Sequence, residues 1–321
     1  MGWFGDHIDD MLALIRAIHF AATSIVAGSL IFRLLLMGPL ARSPQAVAVG
    51  KQTRRVAAIG LVAVMASGAI WLLLQTASMS GLPFNEAVTA DVLSTVVTGT
   101  QFGLAQDVRF ALALILAGCL SYDHVAPSRW LGLLSALGLI AAIAWTGHAG
   151  AGIGEMGALH LAADVLHLIG AAAWLGGLVS LVLLFGIVRR DVYASMLLAQ
   201  DATRRFSILG IACVGTLILT GFVNAWLLVG SFRALLFSDY GRLLTLKLGL
   251  FAVMLSFAAV NRFWWTPRLV SSSGHQLQLN SLRQLSRNSI IEIVLGIIIL
   301  GIVGVLGTQH PAIHALENLQ Q

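Results

Sequence analysis

The stretch GALHLAADVLHLIGAAAWLGGLVSLVLLFGIV, residues 157–188, decides the fold. Its only ionisable side chains are His160, Asp164 and His167. Crossing the hydrocarbon of a bilayer takes about 20 apolar residues in a helix, so this run can span and extend beyond it. Backbone groups in lipid must be bonded within the segment, which leaves helix as the reading. Seven further runs of the same kind lie near 11–37, 55–77, 104–121, 130–147, 206–230, 241–262 and 288–308. The chain as a whole is 58% hydrophobic and 10% charged, with mean hydropathy +0.89. A soluble domain carries roughly 25% charged residues. The expectation is therefore an all-α integral membrane protein with eight transmembrane helices. A β-barrel would show short alternating segments and does not fit.

Landmarks in the first half recur in the second. Arg16-x-x-His19 followed by Gly28 is answered by Asp164-x-x-His167 followed by Gly176, with equal histidine-to-glycine spacing. Arg54-Arg55 and Gly60 match Arg204-Arg205 and Gly210. Phe102-Gly103 with Arg109 matches Tyr240-Gly241 with Lys247, and Thr146-Gly147-His148 matches Thr308-Gln309-His310. Four landmarks in the same order point to a duplicated four-helix unit, two repeats in parallel orientation. The expected division is 1–150 for the first repeat and 151–321 for the second.

The net charge of +5 is spread as a topology signal, not as a nucleic-acid patch. Arg33, Arg42, Lys51, Arg54 and Arg55 lie between the first two runs, and Arg129 between the third and fourth. Arg189, Arg190, Arg204 and Arg205 follow the fifth, and Arg262, Arg268, Arg283 and Arg287 the seventh. The opposite side keeps only Arg16, Arg109, Arg233, Arg242 and Lys247. The positive-inside rule then puts both termini outside the cytoplasm. Asp6, Asp9 and Asp10 precede the first run, the wrong flank for a cleaved signal peptide, so that run is expected to stay as a helix. Cys119 and Cys213 lie in different runs and form neither a disulfide framework nor a thiolate site.

Under this topology His19, His148, His160, His167 and His310 fall on or near the outer side, with His7 and His314 as bystanders. Ionisable groups inside a membrane segment need a partner or a wet cavity, so they are functional candidates by default. His19 sits roughly 12 Å along the axis from Met11 at ~1.5 Å per residue. His160, Asp164 and His167 share one helix face, with the two histidines about 10 Å apart, too far to grip one ion. Asp164 with His167 forms either two ligands or a carboxylate orienting an imidazole. Arg16, standing where the second half has Asp164, is positioned to pair with it across a pseudo-two-fold axis. Asp107 with Arg109, and Asp239 with Lys247, are expected to neutralise one another at the outer rim, and Glu292 to meet Arg262 or Arg287. The long connections near 78–103 and 263–287 are expected as loops too short for a domain. Against function stands the plain reading that a buried histidine bonds two helices, worth only ~0.6 kcal/mol on average.

No P-loop, H-E-x-x-H or G-x-S-x-G is present, and no enzyme is expected. Asp164-x-x-His167 with Ala173-Trp174-Leu175-Gly176-Gly177-Leu178 resembles the copper resistance protein D (CopD) family. So do Arg205-Phe206-Ser207, Thr220-Gly221-x-x-Asn224-Ala225, Tyr240-Gly241-Arg242-Leu243-Leu244-x-x-Lys247, Asn261-Arg262 with Pro267, and Glu292. The resemblance implies a membrane protein that moves copper inward and works with a separate periplasmic copper-binding protein of the CopC type. Imidazole suits copper in either oxidation state as well as zinc and iron. The expected ligands are His19 and His167, with Asp164 orienting or neutralising and His148, His160 and His310 at the entry. Cys213 and Met65 are the soft candidates of the inner half. The alternative is a b-type haem protein for electron transfer, with axial pairs His19–His148 and His167–His310.

Overall fold

The computed structural model describes residues 8–37, 43–147, 150, 152, 154–189, 192–271 and 274–309. Eight of its helices are long and apolar enough to cross a membrane, and no strand occurs among the described residues. In the first half these are α1 (Ile8–Ile31), α2 (Pro44–Ser80), α5 (Gln101–Ser121) and α6 (Ala126–Ala144), with short α3 (Phe84–Ala87) and α4 (Ala90–Gly99) between. The second half has α7 (Gly154–Val188), α8 (Val192–Val229), short α9 (Phe232–Phe237), α10 (Asp239–Val260), short α11 (Thr266–Ser271) and α12 (His275–Leu306). Single π turns, Phe32–Leu36 and Asn261–Trp265, continue α1 and α10.

Local chemistry sets these boundaries. Ser43 caps α2 by accepting from the Ala46 amide at 3.1 Å, Pro44 fills the first turn, and Gly81 at φ 65° ends the helix left-handed. Thr100 and Ser238 cap α5 and α10 in the same way, accepting from Gly103 N and Gly241 N at 3.0 Å. Each of those glycines lies against the last turn of the short helix before it, where a Cβ would strike backbone. The connections expected as loops are thus helical. In 275–287 the polar run conceals Leu282 and Leu285, spaced to share a helix face and both buried, so the segment extends α12 inward.

The centre of the bundle is the crossing of α1 and α7. In the most apolar window of each, 67% of residues are buried, against 11% for α10. The helices touch at glycine. A Cβ on Gly28 would strike Ala172 O and lie 2.6 Å from Gly176 Cα; one on Gly176 would lie 2.5 Å from Ser24 O and 2.7 Å from Gly28 Cα. The contacts are reciprocal, with small residues letting two backbones meet as in membrane helix pairs. Ser180 Oγ and Ser29 Oγ meet at 3.3 Å beside the crossing. Outward faces are apolar too, with Ile59, Leu219, Phe222 and Trp226 all about two-thirds exposed or more.

The basic links gather at one end. Arg33 forms a two-pronged ion pair with Asp123, both bonds 2.5 Å, and Arg54 donates to Leu120 O at 3.1 Å. Gln200 donates to Leu269 O at 2.8 Å, joining the other two links, and the π turn at Phe32–Leu36 touches both α7 and α8. At the opposite end Gln101 Nε2 donates to Gly150 O at 3.0 Å.

Candidate metal centre

Two matched histidine pockets flank the central crossing. His19 on α1 is buried, and its Nδ1 lies 2.9 Å from Ser67 Oγ on α2. His167 on α7 places Nδ1 2.9 Å from Thr220 Oγ1 on α8. A hydroxyl has a single proton to give. Ser67 gives its own to Ala63 O at 2.6 Å, and Thr220 to Thr216 O at 2.6 Å. Each hydroxyl therefore accepts from the imidazole, which fixes Nδ1 as the protonated nitrogen and Nε2 as the lone-pair nitrogen in the neutral ring. His19 Nε2 is buried and has no hydrogen-bond partner. Gly68 and Gly221 follow the two hydroxyl residues and lie against the rings, where a Cβ at either would sit in ordinary contact, 3.5 Å from the histidine Cε1.

The charged surroundings of the two rings are opposite. Around His167 stand half-buried Asp164, Asn224 and Lys247. Asn224 Nδ2 donates to Asp164 Oδ1 at 3.2 Å, and Lys247 acts electrostatically on Asp164. Because a carboxylate can only accept, that bond fixes the amide orientation and leaves Asn224 Oδ1 as a buried oxygen without a donor. Around His19 stand Trp71, edge-on at 5.4 Å between centroids, and the buried cations Arg16 and Arg109. Arg16 Nη1 donates to Gly307 O at 2.8 Å. Arg109 donates to Ala142 O at 3.1 Å, Thr146 Oγ1 at 2.7 Å and Gln106 Oε1 at 3.1 Å, and Gln106 in turn donates to Gly68 O at 2.9 Å.

Several expected pairings are thus replaced. Arg16 does not pair with Asp164; it reaches the carbonyl end of α12 and lies over Trp71, while Asp164 has Asn224 and Lys247. Arg109 is buried against α6 and leaves Asp107 exposed, and Asp239 pairs with Arg242 at 3.5 Å instead of Lys247. Glu292 accepts from Asn261 Nδ2 at 2.7 Å, while Arg262 turns to Ser207 Oγ at 2.7 Å. Burial drives the exchanges at Arg16, Arg109 and Glu292, since a desolvated charge takes the nearest fixed dipole and cannot reach a solvated rim partner, whereas Asp239 and Arg242 meet in the open.

Of the expected ligands, His160, Asp164 and His167 lie together on α7, with His160 buried one turn outward of Asp164. His19 occupies its own pocket. His148 and His310 lie outside the described residues. No group of three or more His, Cys, Asp or Glu forms among the described residues, so any ion held here uses fewer side chains of those types. Cys119 and Cys213 are buried free thiols. Ser67, Trp71 and Gln106 were not singled out from sequence. The signal was there: Ser67-Gly68-x-x-Trp71 parallels Thr220-Gly221-x-x-Asn224.

Fold and site define a multi-pass membrane protein with two matched imidazoles inside a helix bundle, each bonded to a hydroxyl of the next long helix. The model for the copper resistance protein D-like N-terminal domain matches residues 7–158, and that for copper resistance protein D matches residues 200–306. The chain belongs to the copper resistance protein D family. It is 29% identical to "Copper resistance protein D" of Pseudomonas syringae pv. tomato over 68% of this chain and 72% of that one. It is 29% identical to "Copper transport protein CutJ" of Bacillus subtilis (strain 168) over 77% of this chain but only 45% of that protein. It is 27% identical to "Inner membrane protein YebZ" of Escherichia coli (strain K12) over 92% and 97%. No solved structure matches. The haem alternative finds no support in these matches, and both of its outer axial partners lie outside the described residues.

Proposed function

We propose that this chain handles copper in the bacterial inner membrane, taking the ion on the periplasmic side and relaying it inward as a carrier, not as an enzyme. The observation that carries the reading is the pair of imidazoles whose Nδ1 atoms are engaged by Ser67 and Thr220, which turns each Nε2 into a free donor for a metal. Fixing one ring nitrogen by a second bond is how proteins orient histidine ligands. The names of the relatives supply copper as the cargo.

Within this reading the second half holds the ion more tightly. Asp164 offers the negative charge a cation needs, and Asn224 Oδ1 is an oxygen acceptor left without a donor. His167 Nε2 is the primary ligand there, and His160 stands along α7 as the outer approach. His148 and His310 complete the entry. His19 is the counterpart through which the ion passes, in a pocket whose own charges are positive. The halves 1–150 and 151–321 are two copies of one four-helix unit, supported by the reciprocal Gly28–Gly176 contacts and the twin histidine–hydroxyl bonds. The end bearing Arg33, Arg54 and Arg129 faces the cytoplasm under the positive-inside rule, which puts both termini and the histidine pockets toward the periplasm. A separate CopC-like protein would deliver the ion there.

The test is elemental analysis of detergent-purified protein, with and without added copper. The reading expects copper bound in the wild type and lost in His167→Ala. Equal copper in both proteins contradicts the ligand assignment, and stoichiometric iron contradicts the cargo.

A further inference from the structure

Among the described residues, the first half contains two buried positive charges and no buried carboxylate to balance them. Arg109 is 2% exposed and Arg16 is 8% exposed. Their guanidiniums approach one indole, with Cζ 4.7 Å and 5.3 Å from the Trp71 ring, and the two act electrostatically on each other. Cation–π contact of this kind eases burial but leaves the charge in place. The partners of both arginines are neutral: Gly307 O, Ala142 O, Thr146 Oγ1 and Gln106 Oε1. Two of these carbonyls end helices, α12 and α6, where the backbone supplies roughly half a negative charge each. Two full positive charges against two such helix ends leave about one positive charge over.

Donor capacity is also left over. The Nε–H of Arg16 and the Nε–H of Arg109 are both buried and lack an acceptor. A desolvated guanidinium N–H without an acceptor carries the full cost of burial, and none of the described residues supplies one. Gly307 leaves room for the Arg16 guanidinium itself, because a Cβ there would collide with it. The matched place in the second half needs no added anion, since Asp164 stands where Arg16 stands and balances Lys247.

We infer that the Arg16–Trp71–Arg109 cluster is a binding site for one small monovalent anion of chloride type, accepting from the two free Nε–H groups. The anion neutralises the first half as Asp164 neutralises the second, and it removes the repulsion that a cation at His19 would otherwise meet. The inference does not depend on copper, and its test uses metal-free protein.

Full-length protein in maltoside micelles, equilibrated in gluconate buffer, would be titrated with radiolabelled chloride. One saturable chloride per chain is expected in the wild type, with affinity at least tenfold weaker in Arg16→Gln and Arg109→Gln and unchanged in the surface variant Arg242→Gln. Because Arg109→Gln can fail to fold, Gly307→Ala is the second probe: it keeps every charge, crowds the Arg16 guanidinium and should weaken chloride as well. Chloride should raise the melting temperature of the wild type and not that of the arginine variants. No saturable chloride in the folded wild type overturns the proposal. Displacement of chloride by added phosphatidylglycerol would overturn it too, by giving the pocket to a lipid phosphate.

Discussion

His19 and His167 have the same kind of neighbour at the same distance, yet the charges around them have opposite sign. Each ring donates from Nδ1 to a hydroxyl at 2.9 Å and faces a glycine in the next helix. Beyond that shell the first half leaves unpaired donors, the Nε–H groups of Arg16 and Arg109, and the second an unpaired acceptor, Asn224 Oδ1. One scaffold therefore presents two chemistries. Unpaired buried donors call for an anion and unpaired acceptors for a cation or a proton donor, since a polar group in a dry interior is costly until it is matched. The difference comes down to a few side chains, Arg16 against Asp164 and Trp71 against Asn224.

Variants can break this comparison or sharpen it. Removing the Nε2 donor of His167 should have the largest effect: copper affinity in His167→Ala is expected to fall about 100-fold or more, whereas His19→Ala keeps the tight copper and slows its passage across reconstituted vesicles. Adding a methyl at the shared crossing should hurt both halves alike. Gly28→Ala and Gly176→Ala are each expected to cost roughly 1–3 kcal/mol, read from reversible unfolding in detergent, since backbone and not a flexible side chain meets the new carbon. If one substitution is tolerated and the other is not, the crossing is not reciprocal. Asp164→Asn should weaken copper about tenfold while leaving chloride binding untouched, a split that separates the two chemistries. The smallest effect belongs to the paired hydroxyls. Ser67→Ala and Thr220→Val should each cost about 0.6 kcal/mol of stability, the usual worth of a polar helix–helix bond in membranes, with a matching loss of ring order in histidine NMR.

The eight helices could be read from sequence because hydrophobic runs of that length have no other solution in lipid. The histidine–glycine spacing was equally visible, since residues nine apart on a helix keep their relation whatever packs around them. What escaped was every choice of partner. Arg16 finds its acceptor 291 residues away at Gly307, and nothing near Arg16 in the chain announces that α12 ends beside it. The expected Arg16–Asp164 pair failed for the same reason: Arg16 went to Gly307 and Trp71, and Asp164 to Asn224 and Lys247. The polar segment 275–287 looked like a loop because its two buried leucines, Leu282 and Leu285, were outnumbered by Gln, Ser, Asn and Arg. Trp71 could have been noticed only by setting Ser67-Gly68-x-x-Trp71 against Thr220-Gly221-x-x-Asn224.

The most direct test of the two-chemistry account is X-ray absorption at the copper edge on copper-loaded wild type, His19→Ala and His167→Ala. The account predicts a nitrogen and oxygen shell in the wild type that persists in His19→Ala and vanishes in His167→Ala. The same shell in His167→Ala, or its loss in His19→Ala alone, would put the ion in the positively charged half and contradict the account.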